Sequence, residues 1–250
     1  PLLFKAAERL EPLDLDLARE TYLSAWMAAM FAGRLAGAGD LLEVSRAARA
    51  LPPPARPRTV DLVLDGLTRI VTDGPAAAAP TLRRAVNSFA RADITTEEAL
   101  RWGWLAQAAA SALWDDDAWR AVLVRQVRFA REAGALDELP VMLGALGTAV
   151  VWSGDFAAAS ALIGEADGIC EATGARAAPF TAMMLASLRG DAAEAVPLVE
   201  ATVAAAEAAG QGLAVAYAHW AYAVLHNGLG HYPEALTAAR AAGDDTYALH

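Results

Sequence analysis

The sequence predicts an all-α fold built from about six stacked antiparallel helical hairpins, and three observations support this. Alanine and leucine dominate the composition, and no segment alternates apolar with polar residues over the length of a strand. A short motif recurs about every 36 to 40 residues, with gaps filled by residues 73–75 and 116–118. The motif consists of a glycine, then an aspartate or histidine, then an apolar residue, with an alanine or valine three positions after the apolar residue. It begins at Gly39, Gly154, Gly190 and Gly230. Such a period is typical of an array in which each hairpin buries its apolar face against its neighbours.

Capping and breaking residues place the helices along the chain. A first helix is predicted over residues 14–34, and Asp40 caps its partner, which ends at the proline run that begins at Pro52. The other five hairpins are predicted over residues 59–72 with 75–91, 95–114 with 117–133, 136–152 with 155–173, 180–188 with 191–209, and 213–229 with 233–242.

Three helix ends carry recognisable signals. Thr95 stands three residues before Glu98, a spacing that predicts a capping box in which each side chain binds a backbone amide of the first turn. Gly174 and Gly210 follow helical segments and predict left-handed helix ends.

Two second helices contain a proline at the same register. Pro80 lies six residues after Gly74, and Pro197 lies six residues after Asp191. Because a proline inside a helix removes one backbone hydrogen bond, we expect a delayed start or a kink in both helices.

Small residues after the hairpin turns predict a close approach of the two helices. Ala159, Ala195 and Ala235 let the backbones pack, and we expect Phe156 and Tyr232 to fill the adjoining gaps.

The whole chain, residues 1–250, is interpreted as a single helical-repeat array with one proline-rich break at 51–58. It lacks a starting methionine, and no helix-ending signal precedes its last residue, so we expect a fragment of a longer protein. No apolar run reaches the length of a membrane span, and the first residues enter a helix without a signal-peptide pattern. Cys170 is the single cysteine, which favours a reducing compartment, and a cytoplasmic location is expected.

Charge and lysine content exclude two classes of site. The net charge of −10 and the scattered arginines disfavour direct contact with nucleic acid. Lys5 is the only lysine and has no glycine-rich context, so no P-loop for nucleotide phosphates lies in this chain. No catalytic constellation, cofactor site or metal site is predicted.

Asp115, Asp116 and Asp117 resemble the acidic metal motif of all-helical terpene synthases. Trp119 stands where the third acid of that motif is required, and acids at a helix start are favourable to the helix dipole. Helix capping is therefore the preferred interpretation.

The histidines His219 and His226 lie seven residues apart on one predicted helix face, and His231 follows. A carboxylate such as Asp191 or Glu194 could complete a metal site, but the compact ligand spacing of zinc helices is missing. A solvated or hydrogen-bonded histidine pair is the preferred interpretation.

The Gly-x-(Phe/Tyr)-x-x-Ala core of the motif resembles the tetratricopeptide repeat, although its period exceeds the usual length of about 34 residues. This resemblance implies a right-handed superhelix in which the first helix of each hairpin lines a concave groove. Six residues of the predicted first helices are candidates for facing such a groove and an effector: Trp102, Gln107, Trp152, His219, Tyr222 and His226.

A closer resemblance covers nearly the whole chain. Its phrases are Arg-Leu-Glu-Pro-Leu-Asp at 9–14, Ala-Arg-Glu-Thr-Tyr-Leu-Ser-Ala at 18–25, and further segments at 31–35, 127–136, 218–221 and 224–230. They resemble the central region of large actinobacterial ATP-binding transcription regulators of the LuxR type, related in architecture to the maltose-regulon activator.

The resemblance implies a parent protein with an N-terminal P-loop domain that binds ATP and a C-terminal helix-turn-helix domain, both outside this chain. The array would sense an effector or mediate assembly. Its partners would be the other parent domains, a small-molecule effector, a protein or a second copy, without nucleic acid or membrane. A stand-alone tetratricopeptide-like peptide-binding adaptor is the alternative, and an all-helical enzyme is a third, less favoured hypothesis.

Overall fold

The computed structural model describes residues 2–36, 40–91 and 94–243, and this part of the chain contains thirteen α-helices and no strand. The all-α class is confirmed. The helices are α1 (Leu2–Leu10), α2 (Leu15–Ala32), α3 (Leu41–Ala50), α4 (Thr59–Asp73), α5 (Pro75–Arg91), α6 (Thr96–Ser111), α7 (Asp116–Ala133), α8 (Leu139–Trp152), α9 (Phe156–Thr173), α10 (Phe180–Arg189), α11 (Ala192–Ala209), α12 (Gly212–Gly228) and α13 (Tyr232–Gly243). The first motif glycine, Gly39, lies outside the described residues. No described helix combines the length and the apolar character needed to cross a membrane.

Two compact units divide the chain, and the division falls inside α7 between Val122 and Leu123. The proline-rich segment 51–58 lies within the first unit.

The first unit places its helices in a regular order. Helix α4 packs against both α2 and α6, while α3 packs against α2 and α4, and α5 against α4 and α6. Helix α1 covers α2, where the ring of Phe4 meets the edge of the Tyr22 ring. Trp26, Leu64 and Leu105 are buried in this core.

The second unit repeats that order. Helices α8, α10 and α12 are successive neighbours, while α9 packs against α8 and α10, α11 against α10 and α12, and α13 against α12. Its core contains Val150, Met183, Met184 and Val199. Apolar faces are thus buried against the next hairpin in both units.

The predicted caps at the hairpin turns are confirmed. The carboxylates of Asp40, Asp155 and Asp191 each accept a hydrogen bond from the backbone amide three residues later, at 2.8–3.1 Å. Such bonds satisfy amides that the first helical turn leaves unpaired. The glycine-aspartate signal of the sequence therefore marks real helix starts.

The other predicted helix ends are confirmed as well. Thr95 and Glu98 form both bonds of a capping box, at 3.2 and 3.0 Å. Gly174 and Gly210 end α9 and α11 in the left-handed conformation, with φ of 76° and 68°.

Of the delayed start or kink predicted at the two prolines, the structure shows no delayed start, and the kink stays a prediction. Helix α5 already begins at Pro75 and α11 at Ala192, so Pro80 and Pro197 are each the sixth residue of their helix. Pro75 occupies the first position of α5, which proline favours, and Asp191 caps the start of α11. Each helix therefore starts at its own signal, several residues N-terminal to the internal proline, which removes only one backbone hydrogen bond. The shared register that the sequence indicates is retained.

Ala159, Ala195 and Ala235 are buried after their turns, as predicted. Phe156 packs against the core of the second unit, whereas Tyr232 is 66% exposed. The prediction that Tyr232 fills a gap is therefore wrong, because no described helix follows α13 to cover it.

Candidate interaction surface on the first helices

A chain of four aromatic rings, here called the aromatic cluster, connects three first helices of the second unit. Trp152 is the last residue of α8, Phe180 is the first residue of α10, and Tyr217 and Trp220 lie on α12. The Trp152 and Trp220 rings stack with centroids 5.0 Å apart. Tyr217 meets Trp220 edge-on at 5.5 Å and Phe180 at 4.8 Å. Aromatic pairs at such distances stabilise one another beyond their burial alone.

The cluster is partly open to solvent. Trp152 remains 42% exposed although one face of its indole is covered by Trp220. An indole at the edge of a packed aromatic group offers a flat apolar surface for a ligand ring or a peptide side chain.

Polar groups beneath the cluster are already paired with the protein. The hydroxyls of Thr148 and Thr181 both donate to the carbonyl of Gly144, at 3.1 and 2.6 Å. The Tyr217 hydroxyl donates to the Phe180 carbonyl over a long 3.5 Å, and burial raises the pKa of Tyr217 above its usual value. Tyr217 therefore stays a neutral hydrogen-bond donor within this wall.

Gly147 allows α8 and α10 to approach at this point. A Cβ at Gly147 would lie 2.7 Å from the Thr181 Cγ2 and 2.8 Å from its Oγ1. Glycine is thus required for the close packing that supports the cluster.

A second group of candidates lies farther along α12. The ring of Tyr222 lies 4.2 Å from that of His226, and the Nδ1 atoms of His226 and His231 lie 3.2 Å apart. A histidine pair is therefore present between His226 and His231, whereas the sequence pattern pairs His226 with His219, which is half-buried on the same helix. No group of three histidine, cysteine or acidic side chains in the described part of the chain could hold a metal ion.

Two candidates lie in the first unit, on α6. Trp102 is 4% exposed, and the guanidinium of Arg101 lies 4.5 Å above its ring. Gln107 is half-buried, and its Oε1 is buried without a hydrogen-bond partner among the described residues. Neighbouring Trp104 stacks on Phe31 at 5.6 Å. Of these side chains, Trp102 is buried, whereas Trp104 and Gln107 are half-buried.

An ion-pair network joins the first helices of the first unit. Arg58 binds Glu20 at 2.9 Å and Asp61 at 3.1 Å, and Glu20 also pairs with Arg101 at 3.3 Å. The hydrogen bond to Asp61 raises the pKa of Arg58. Because the network spans α2, α4 and α6, its evident role is to hold these helices in register.

The acidic run at residues 115–117 begins α7. Asp115 accepts a hydrogen bond from the Ala118 amide at 3.0 Å, which confirms the capping interpretation.

Of the four rings of the aromatic cluster, only Trp152 is a candidate from the sequence, which does not indicate that Trp152 meets Phe180, Tyr217 and Trp220. Phe180 precedes Tyr217 by 37 residues, which is close to the repeat period and could have indicated their meeting. Comparison with known proteins adds no assignment, since neither a protein-family model nor a curated protein matches the chain.

Proposed function

We propose that this chain is the regulatory, protein-interaction part of a LuxR-type ATP-binding transcription regulator, in which it senses an effector or mediates assembly. The sequence resemblance is one support. The other is the helix order, since the first helices of successive hairpins pack on one another in each unit, as in tetratricopeptide-like arrays. We therefore also propose a right-handed tetratricopeptide-like superhelix.

The aromatic cluster is the observation that carries the sensing role. It lies on α8, α10 and α12, which are the helices that line the groove in such an array. A groove walled by aromatic rings with a few polar atoms suits a small effector or a peptide.

Coupling to the rest of a regulator follows from the position of Trp152 and Trp220. These rings belong to hairpins separated by one intervening hairpin, so a ligand that binds both favours one spacing of the hairpins. A ligand with different affinities for two curvatures shifts the population between a resting and an assembled regulator.

In this proposal the chain neither catalyses a reaction nor contacts DNA. ATP would bind an N-terminal P-loop domain of the parent, and DNA would bind a C-terminal helix-turn-helix domain, in the cytoplasm. The complete reading frame tests this directly: an upstream P-loop and a downstream helix-turn-helix are expected. An uninterrupted frame without either favours the stand-alone adaptor instead.

Binding at the aromatic cluster is tested by isothermal titration with candidate inducers, peptides and the adjacent parent domains. Trp152→Ala is expected to lower the affinity for a bound ligand by about tenfold or more, because an aromatic anchor contributes over 1 kcal/mol to binding. Tyr232→Ala, at an exposed aromatic residue of α13 outside the cluster, is the matched control and should leave this affinity unchanged. Equal affinity of the Trp152 variant and the parent chain would reject the cluster as the sensing site.

A further inference from the structure

The turn between α6 and α7 differs at one residue from the corresponding turns before α9 and α11. In the turns before α9 and α11, the residue preceding the capping aspartate is a glycine with positive φ, 82° at Gly154 and 72° at Gly190. Asp115 caps α7 in the same way, but the residue before it is Trp114, with φ of 52°. Among the described residues, Trp114 is the one non-glycine with positive φ.

The turn gains nothing in stability from this tryptophan. A side chain in the left-handed conformation costs about 1–2 kcal/mol, and bulky residues rarely adopt it. Packing does not offset the cost, because Trp114 is 84% exposed. Strain that local packing does not require is a reason to look for function at the residue.

The surroundings of Trp114 define the chemistry of an occupant. Asp115, Asp116 and Asp117 follow it directly and are exposed, and no ion pair within the described residues engages them. An exposed indole beside three carboxylates complements an apolar pocket bordered by arginine or lysine. A second copy of this chain is a poor occupant, since its net charge is −10 and two such copies repel each other.

We propose that Trp114 is the anchor of a protein-docking surface, with residues 115–117 as its acidic rim, and that its partner is a protein presenting an apolar pocket bordered by basic side chains. This surface belongs to the first unit, and the aromatic cluster belongs to the second.

The first experiment asks whether Trp114 serves the fold. Thermal unfolding of the chain is compared with that of Trp114→Gly and Trp114→Asn, because both residues tolerate left-handed backbone. The unfolding midpoint should be unchanged or higher in both variants. A midpoint several degrees lower in both would assign Trp114 a structural role and overturn the proposal.

The second experiment selects binders from a phage-displayed library of random dodecapeptides. The enrichment of each peptide on the parent chain is compared with its enrichment on Trp114→Asn. Enriched peptides should combine aliphatic with basic residues. Synthetic copies should bind about 30-fold more weakly to Trp114→Asn and to Trp114→Gly, as expected for a hot-spot residue. Their affinity should fall in the double variant Asp116→Asn with Asp117→Asn, and with added salt.

Trp152→Ala is the control and should bind these peptides as the parent chain does. Loss of binding in this control would place the peptides at the aromatic cluster and overturn the docking proposal while supporting the sensing site. The docking proposal would also be overturned if peptides were enriched no more on the parent chain than on Trp114→Asn, or if the enriched peptides lacked basic residues. Self-association that Trp114→Asn abolishes would replace the basic partner with a second copy.

Discussion

Single residues at the turns and in the aromatic cluster set the local energetics of this protein. At Gly154 the backbone has φ of 82°, and an added Cβ would meet nothing within 4 Å. At Gly164, inside α9, an added Cβ also meets nothing, but its backbone is helical. The two glycines therefore separate the effect of backbone conformation from that of packing.

Alanine substitution should act with opposite sign at these positions. Gly154→Ala is expected to lower the free energy of unfolding by about 1 kcal/mol, because a side chain is strained at positive φ. Gly164→Ala should raise it by about 0.5–1 kcal/mol, since alanine favours the helix. Urea unfolding of both variants measures this, and a shared sign would contradict it.

Burial of the Tyr217 hydroxyl makes stability depend on alkaline pH. Because its pKa is raised in the folded state, the stabilisation is fully present below the unfolded value of about 10 and is lost as pH rises above it. The unfolding free energy should fall by up to about 1.4 kcal/mol per pH unit in this range. Urea unfolding at several pH values tests this, and Tyr217→Phe should flatten the decline. An unchanged slope would show that Tyr217 is not the group responsible.

Pairs of helices are brought together by small residues at defined points. Gly147 of α8 faces Thr181 of α10, whose hydroxyl is held by the Gly144 carbonyl at 2.6 Å. A β-branched side chain held in this way cannot easily move aside. The contact between these two first helices thus depends on the missing Cβ.

Gly147→Ala should therefore lower the free energy of unfolding by about 1–3 kcal/mol through overpacking. Gly144→Ala, one turn earlier on the same helix, is the matched control, because its Cβ would meet nothing within 4 Å. That control should gain about 0.5–1 kcal/mol from helix propensity. Denaturant unfolding of both variants decides the matter, and equal effects would show that α8 and α10 do not approach as closely as described.

Across the whole molecule, burial is distributed over two compact units, each with its own core. Leu64 is buried in the first unit and Met183 in the second. In a repeat protein each hairpin contacts mainly its neighbours, so a cavity loosens the structure near its own position.

Leu64→Ala and Met183→Ala should each destabilise the protein by about 2–5 kcal/mol. Hydrogen exchange followed by mass spectrometry should show faster exchange mainly in α2 to α5 for the first variant and in α8 to α12 for the second. Uniform acceleration throughout the described helices in both variants would contradict a modular array.

Much of the fold could be predicted because its signals are local. Asp40, Asp155 and Asp191 cap helices through amides three residues away, and a sequence pattern captures such bonds directly. The meeting of Trp152 with Trp220 could not be predicted in this way, because it depends on how three hairpins stack. The left-handed backbone at Trp114 also escaped prediction, since the sequence pattern places this unit of the motif at residues 116–118.

The sequence by itself therefore determined the all-α class and the approximate helix bounds, because caps, prolines and apolar spacing act within a few residues. Only the tertiary structure decided which aromatics share a surface, which histidine pairs with His226, and that Trp114 is strained and exposed. These properties depend on contacts between distant segments and on turn geometry, which no short pattern specifies.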